Sequence, residues 1–411
     1  MFFTTKTKKG ILPMTKKKIT PDYENLLETF KAENDPLVEM LKFLLKQLME
    51  SEVSKKLNSD KGVHADERTG YRSGYRNRRF DTRLGTIDLE VPKVRNGGYV
   101  PFFMKERQRC EQALIHVVHE CYMNGVSTRK IEHLAQSLGI EDISAGEVSE
   151  INKGLDEMIS NFRNRELEEE YPVIWADALY EKIREGNRIL SMAVMVIKAI
   201  NLEGKPDILA IEPMNSESEE TYTVLFNDLK KRGVKKVWLC VSDAHTGLRA
   251  AIQKCWTGAS WQRCKVHFMR NVLAKVPQKN KENFAARLKL IWKAPDAKTA
   301  RKWKDDFIQE FEHDFKKACE CLEEGFEDTI QFYAFNKIDS RKISSTNTLE
   351  RLNEEIRRRT KVVGIFPSES SYIRLVTSYL LEYAEDHLTG TSYIKAETLK
   401  QQKEVLLSLA A

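Results

Sequence analysis

Apolar residues return every three or four positions between residues 22 and 58 (Leu26, Leu27 and Phe30, then Leu37, Met40, Leu41, Leu44, Leu45 and Leu48). That spacing predicts one or two amphipathic helices. The period then shortens to two, where Ile87, Leu89 and Val91 alternate with Asp88 and Glu90; a short strand, one arm of a hairpin, is expected there. Helical spacing resumes from Glu111 to about Arg165. Ala113, Leu114, Val117, Val118 and Tyr122 make a first apolar face, which Asn124 and Gly125 interrupt. Ser127 can cap a second helix, Thr128 to Leu138, that Gly139 ends, and Ser144 can cap a third carrying Val148, Ile151, Leu155 and Ile159. Three short helices with tight turns read as a helix-turn-helix unit, with a plain helical bundle as the alternative.

Beyond the acidic linker Glu166 to Glu170, strand signals dominate. Val173 to Trp175 leads to Asp177, Ile189 to Ile200 is a long apolar run, and Ile208 to Ile211 follows a Gly-Lys-Pro turn. Glu217 to Lys231 reads as a helix, Val237 to Val241 as a fourth strand, Thr246 to Cys255 as a helix, and Trp261 to Val266 as a short fifth strand. Three strands, helix, strand, helix, strand is the order of the ribonuclease H-like fold, an α/β arrangement with a mixed sheet. Residues from about 270 to 335 break it with a charged α-helical insertion containing Trp292, Trp303, Phe307, Phe311 and Phe315, after which a last helix from about Asn347 packs back on the sheet. The expected segments are 1–60 (helical, a possible oligomerisation element), 61–110 (a small β element), 111–165 (helix-turn-helix-like), 166–269 (first part of the core), 270–335 (insertion), 336–390 (final core helices) and 391–411 (a tail).

A chain of 411 residues exceeds one ordinary core, so two or three domains are expected, and 41% hydrophobic with 31% charged residues describes a globular chain for which long disorder is not the default. Seven cysteines without a paired framework fit reduced thiols in a cytoplasmic protein. No run of about 18 apolar residues occurs, so no membrane role is expected, and the N-terminus lacks a signal peptide's apolar core; either Met1 or Met14 can be the start. The formal charge of +6 is modest, but it is unevenly placed. Arg72, Arg76, Arg78 and Arg79 interleave with Tyr71, Tyr75 and Phe80, a mixture suited to phosphate contact and stacking, or to a solvated face of a small sheet. Arg129 and Lys130 open the second short helix and are candidate DNA contacts, while the third, the reading helix of such a unit, bears Glu147, Glu150, Asn152 and Lys153.

Two acids stand apart, and a third, Glu350, is on its own no more distinctive than the neighbouring Glu354 and Glu355. Asp177 ends the apolar stretch VIWAD, Asp243 follows the apolar stretch VWLCV at a strand-to-helix junction, and Glu350 lies near the start of a helix opened by the cap-forming residues Ser344, Ser345, Thr346 and Asn347. Two strand ends of one sheet can bring carboxylates together; helix capping is the alternative for Asp243. Hard divalent cations want such oxygen ligands, and a pair of Mg²⁺ or Mn²⁺ ions about 4 Å apart stabilises in-line displacement at a phosphodiester. Arg357, Arg358 and Arg359 surround Glu350's helix with charge suited to backbone phosphates, with a merely solvated face as the alternative. His245, two residues after Asp243, can assist the site or serve locally. Cys264 and His267 form half a zinc site without a second pair, so groove-shaping, DNA contact and a buried structural role stay open. Cys110, His116, His119 and Cys121 cannot all face one ion from a single helix, which favours structural histidines.

At these residues the chain resembles the mutator-type DDE transposases of bacterial insertion sequences. DALYEKIRE matches the first-Asp block, VSDAHTGL the second, WQRCKVHFMRN the Cys-x2-His block and TNTLERLNEEIRRRTKVVGIFP the Glu block, while GYRNRRFDTRLGTIDLEVPKVR matches the N-terminal pattern. The resemblance implies metal-dependent cleavage and strand transfer by Asp177, Asp243 and Glu350. It also implies recognition of terminal inverted repeats by the N-terminal region, attack on target DNA, and a homo-oligomer of at least two chains. A regulator that binds DNA without cutting it, and a nuclease of the same fold, are the alternatives.

Overall fold

The computed structural model describes residues 28–63, 67–95, 98–104, 110–140 and 143–410; Met1, Met14, Leu26 and Leu27 lie outside the described residues. The chain divides into two compact units, 1–116 with 133–143, and 117–132 with 144–411.

In the first unit, helix α1 (Pro36–Leu57) begins where the Asp35 carboxylate accepts the Leu37 and Val38 N–H groups, with Pro36 supplying a preset φ. Its residues Leu45, Met49, Val53 and Leu57, four apart, bury against Phe80, Ile87, Leu89 and Val91 of the antiparallel hairpin β1 (Arg72–Thr82) and β2 (Gly85–Val94). The strand expected over Ile87 to Val91 is thus present. The inward face of the helix differs from the expected one: Leu37, Leu44 and Leu48 are 63%, 54% and 45% exposed. Residues 37–48 are apolar around much of the helix, and a single hairpin covers one side.

Helices α2 (Gln112–Met123) and α3 (Thr128–Ser137) follow, and α4 (Ala145–Asn152) opens with a reciprocal capping box in which Ser144 and Glu147 satisfy each other's backbone amides. The third helix expected from the sequence does not continue through Leu155. A 3₁₀ turn, Lys153–Leu155, separates α4 from α5 (Asp156–Asn164), and it contains Gly154, a residue that weakens helix interiors.

The second unit is built on a five-stranded mixed sheet. Strands β3 (Glu170–Glu185), β4 (Arg188–Ile200) and β5 (Pro206–Met214) form an antiparallel meander; helix α6 (Glu219–Lys231) then leads to β6 (Lys236–Ser242), and α7 (Thr246–Cys255) to β7 (Ser260–Arg263). The spatial order is β5-β4-β3-β6-β7, with β3 parallel to β6 and β6 parallel to β7. The element order is the expected one. Asp177, however, lies within β3 and does not end it: the strand runs on to Glu185, paired with β4 down to Glu185↔Arg188. Exposed Tyr180, Lys182 and Arg184 in this extension hid it from a reading based on apolar runs.

Successive strand residues point to opposite faces. Ile174, Ala176, Met195, Ile197 and Cys240 bury with Tyr222, Phe226 and Leu229 of α6 and Leu248 and Ile252 of α7. The other face carries Val173, Trp175 and Asp177.

After β7 come α8 (Lys265–Leu273), α9 (Lys281–Ile291) and α10 (Ala297–Gly325), held by Phe284, whose ring centroid lies 4.9, 5.1 and 5.3 Å from those of Phe307, Phe311 and Phe315. Short α11 (Ser340–Ile343) precedes α12 (Asn347–Val363) and α13 (Glu369–Thr389), which pack on the sheet. The expected tail carries helix α14 (Ala396–Ala410): Gln402 is fully buried, accepting from Lys337 N and donating to Ala334 O, and Lys403 pairs with Glu170. No helix among the described residues is long and apolar enough to cross a membrane.

Candidate active site

The β3–β6 register brings the two aspartates together. Ala176 pairs with Ser242, the last residue of β6, so Asp177 and Asp243 are the next positions on neighbouring parallel strands. Glu350 comes from the first turn of α12, and the buried segment Ser344–Thr346 before it fixes where that turn sits. Ser345 O accepts from Trp175 Nε1 (3.1 Å), Ser344 O accepts from Lys265 N (3.1 Å), and Thr346 N and Oγ1 lie 3.4 and 3.3 Å from Cys264 Sγ. Thr346 occupies the cap position of α12, and its hydroxyl, which makes no cap bond, donates to the Cys264 sulfur.

The point of convergence is His267 on α8. Its Nε2 lies 3.1 Å from Glu350 Oε1 and its Nδ1 3.9 Å from Asp243 Oδ2, while Arg270 approaches Glu350 Oε1 at 3.5 Å. The His267–Glu350 approach is off the N–H axis, since Glu350 Oε1 is buried without a hydrogen-bond partner although Nε2 lies 3.1 Å away. Asp177 is held differently: Asn353 Nδ2 donates to its Oδ2 at 2.9 Å. Asp243 is half-exposed, and its Oδ1 accepts from Ala244 N (2.7 Å), one residue short of the α7 cap, which is His245; Asp243 therefore does not cap the helix.

Burial pushes the Asp177 carboxyl above its ordinary range, and the Glu350 carboxylate adds to this, against the lowering effects of His267 and Asn353. The Cys264 thiol raises His267 to about 9 against the effect of burial, with Asp243 and Asp177 adding to the rise. Burial pushes the Cys264 thiol up, but the nearness of His267 and the hydrogen bonds from Thr346 outweigh it and leave the thiol below its usual value. A cationic imidazole thus sits among three acids. As the side chains stand, no group of three or more His, Cys, Asp or Glu among the described residues is arranged to hold a metal ion.

The other sequence candidates scatter. The His245 ring stands edge-on to Tyr222 at 5.5 Å. Arg359 is buried, stacked 3.7 Å over the Tyr379 ring and bonded to Met123 O and Glu355; Gly125 has a φ of +79°, and a Cβ there would meet Arg359 Cγ at 3.1 Å. Arg358 pairs with Glu355 at 3.1 Å, and Arg357 is exposed. In the first unit Arg72 bonds Ser59 O and Ser54 Oγ of its own unit and is turned inward, Arg76 donates to Tyr99 O, Arg78 is half-buried, and Arg79 lies 3.6 Å from Asp88. Arg129 and Lys130 are exposed. His119 Nε2 meets Ile151 O at 3.0 Å. Asn353 and Arg270 were not singled out in the sequence. Each lies three residues from a candidate, Glu350 or His267, and a shared helical face was the available signal.

Residues 14–390 match the family described as Transposase, Mutator family. The chain is 36% identical over 368 residues to the transposase for insertion sequence element IS256 in transposon Tn4001 of Staphylococcus aureus, covering 89% of this chain and 94% of that protein. It is 38% identical over 391 residues to the transposase for insertion sequence element IS1081 of Mycobacterium tuberculosis, covering 94% of each. Against a solved Drosophila P element transposase strand transfer complex the TM-score is 0.29 at 11% identity, over 74% of this chain and 85% of that one, which is too slight to argue from.

Proposed function

The chain belongs to the Mutator family of transposases, and from that premise we propose that Asp177, Asp243 and Glu350 hold two Mg²⁺ or Mn²⁺ ions and carry out DNA cleavage and strand transfer at the ends of an insertion sequence. The observation that carries this reading is the convergence of the three acids, from two adjacent strands and one helix, about the single His267 side chain. The meander followed by two parallel strands, with β3 central, supports a ribonuclease H-like core.

The donor set fits the ions. All three acids offer the oxygen ligands that hard cations prefer, and Glu350 Oε1 is a buried acceptor without a hydrogen-bond partner. Bound divalent ions supply charge for the transition state at the scissile phosphate. The chain's own groups do the rest. Asn353 fixes one oxygen of Asp177; His267 and Arg270 set the Glu350 carboxylate; exposed Arg357 is available to a backbone phosphate.

In the same reading residues 166–269 and 336–390 form the catalytic core, 270–335 its insertion, and 111–165 with the basic hairpin bind the terminal inverted repeats, where exposed Arg76, Arg79, Arg129 and Lys130 suit phosphate contact. Target DNA enters the same core. The chain works in the bacterial cytoplasm, associated with the nucleoid, as a homo-oligomer of at least two copies, because two element ends are processed together; the exposed Leu37, Leu44 and Leu48 offer an apolar surface for that contact. Replacing Asp177, Asp243 or Glu350 by Ala should abolish Mg²⁺-dependent cleavage of DNA carrying the element's ends, with end binding retained. Full cleavage by Asp243→Ala would reject the assignment, and cleavage without joining by the native chain would make it a nuclease.

A further inference from the structure

Helix α12 has a second working face. Glu350 and Asn353 point to the acids, whereas Thr348, Arg351, Leu352 and Glu355, at three- and four-residue spacing, line a separate cavity of about 530 Å³. Its floor is Lys198 of β4, whose strand partner is Trp175. Lys198 is 3% exposed, and its ammonium donates to Thr348 Oγ1 (2.9 Å) and Tyr383 OH (2.8 Å). Neither partner is charged, and Lys198 makes no ion pair with a carboxylate among the described residues. Burying an unpaired ammonium is costly, so a fold that keeps one is poised for a counter-charge.

The walls point the same way. Arg351 is exposed at the cavity and pairs with no carboxylate among the described residues, and Lys342 enters from α11, donating to Tyr393 O. Glu355 is the one carboxylate among the lining residues, and Arg358 and Arg359 hold it at 3.1 and 3.0 Å. The remaining polar lining includes the hydroxyls of Thr391, Ser392 and Tyr393, which can donate to an anion. Two ammonium groups, one guanidinium fork and several hydroxyls match a tetrahedral oxyanion, with the fork able to take two oxygens at once.

We propose that this cavity binds a phosphate group, distinct from the phosphate at the three acids. The group is either a backbone phosphate of bound DNA or a free phosphate; the DNA alternative rests on the function proposed above, and the free-phosphate alternative does not.

The test uses the full chain, inorganic phosphate at constant ionic strength with chloride as the control, and separately a DNA duplex of arbitrary sequence. The variants are Lys198→Met and Arg351→Gln, with Arg341→Gln, an exposed arginine paired with Asp339, as the control. Arg351 is exposed, so its replacement tests the cavity without changing a buried group. Phosphate should raise the melting temperature of the native chain and of Arg341→Gln, and both cavity variants should weaken phosphate binding at least about tenfold, as expected for loss of a charged hydrogen-bonding partner. A DNA source predicts in addition that Arg351→Gln lowers the slope of log affinity against log salt by about one. An unchanged slope with phosphate binding lost assigns a free phosphate. Phosphate binding that persists in both variants, or that is absent from the native chain together with an unchanged DNA slope, overturns the proposal. Cleavage is not read in this experiment, so failure of the catalytic assignment would leave its outcome standing.

Discussion

Lys198→Met should make the protein more stable near neutral pH, with an advantage that disappears in alkali. Burial, with Arg351 nearby, lowers the Lys198 ammonium from the ordinary 10.5 to about 8. A shift of that size corresponds to about 3 kcal/mol of folding free energy at pH values below both pKa values. Methionine fills similar volume without charge, but Thr348 and Tyr383 each lose a donor, and the two hydrogen bonds at about 1 kcal/mol apiece take back about 2 kcal/mol. The net gain at about pH 7 is therefore roughly 1 kcal/mol. The sign with pH follows from proton counts. Between about pH 8 and 10.5 the unfolded chain keeps the Lys198 proton and the folded chain has lost it, so native stability rises with pH through that window. The variant lacks the group and lacks that rise. Urea denaturation followed by tryptophan fluorescence, at about pH 7 and about pH 10 for both proteins, measures the difference. A variant less stable than the native chain at pH 7, or a difference that is the same at both pH values, would refute the burial argument.

Asn353→Ala removes the hydrogen bond that fixes Asp177 Oδ2; cleavage is expected to fall about 10- to 100-fold, in line with about 1.5–3 kcal/mol for a hydrogen bond to a charged group, while duplex affinity at fixed salt stays unchanged. Arg357→Gln and Arg359→Gln should separate two roles that neighbouring residues could be thought to share. The exposed Arg357 should lower DNA affinity and the salt slope at unchanged melting temperature, whereas the buried Arg359, stacked on Tyr379, should cost about 2–4 kcal/mol of stability in denaturation.

Local patterns survived folding where one surface decided them. The alternation of Ile87, Leu89 and Val91 marked a half-buried strand because one hairpin face meets α1, and the apolar runs before Asp177 and Asp243 marked adjacent strands because both are buried on two faces. What the sequence hid was decided by partners far along the chain. The end of β3 looked polar, since from Tyr180 to Glu185 only Ile183 is deeply buried. Leu37, Leu44 and Leu48 share the helical periodicity of the buried Leu45 yet stay exposed, because periodicity records which residues are apolar, not what covers them. The three arginines after Glu350 looked equivalent, yet a helix turns about 100° per residue, so Arg359 faces Tyr379 and Arg357 faces out. Cys264 and His267 looked like half of a metal site. In the fold the thiol takes hydrogen bonds from Thr346, and the imidazole reaches the acids. That link joins residues 82 positions apart and has no local signature.

The central claim is that three carboxylates jointly bind divalent metal, and Mn²⁺ binding tests it most directly. Anomalous scattering from crystals of the chain with Mn²⁺ and DNA carrying the element ends should reveal two ions bounded by Asp177, Asp243 and Glu350, with at least one lost in each Ala variant. Two ions elsewhere, or full occupancy in Asp243→Ala, would contradict it.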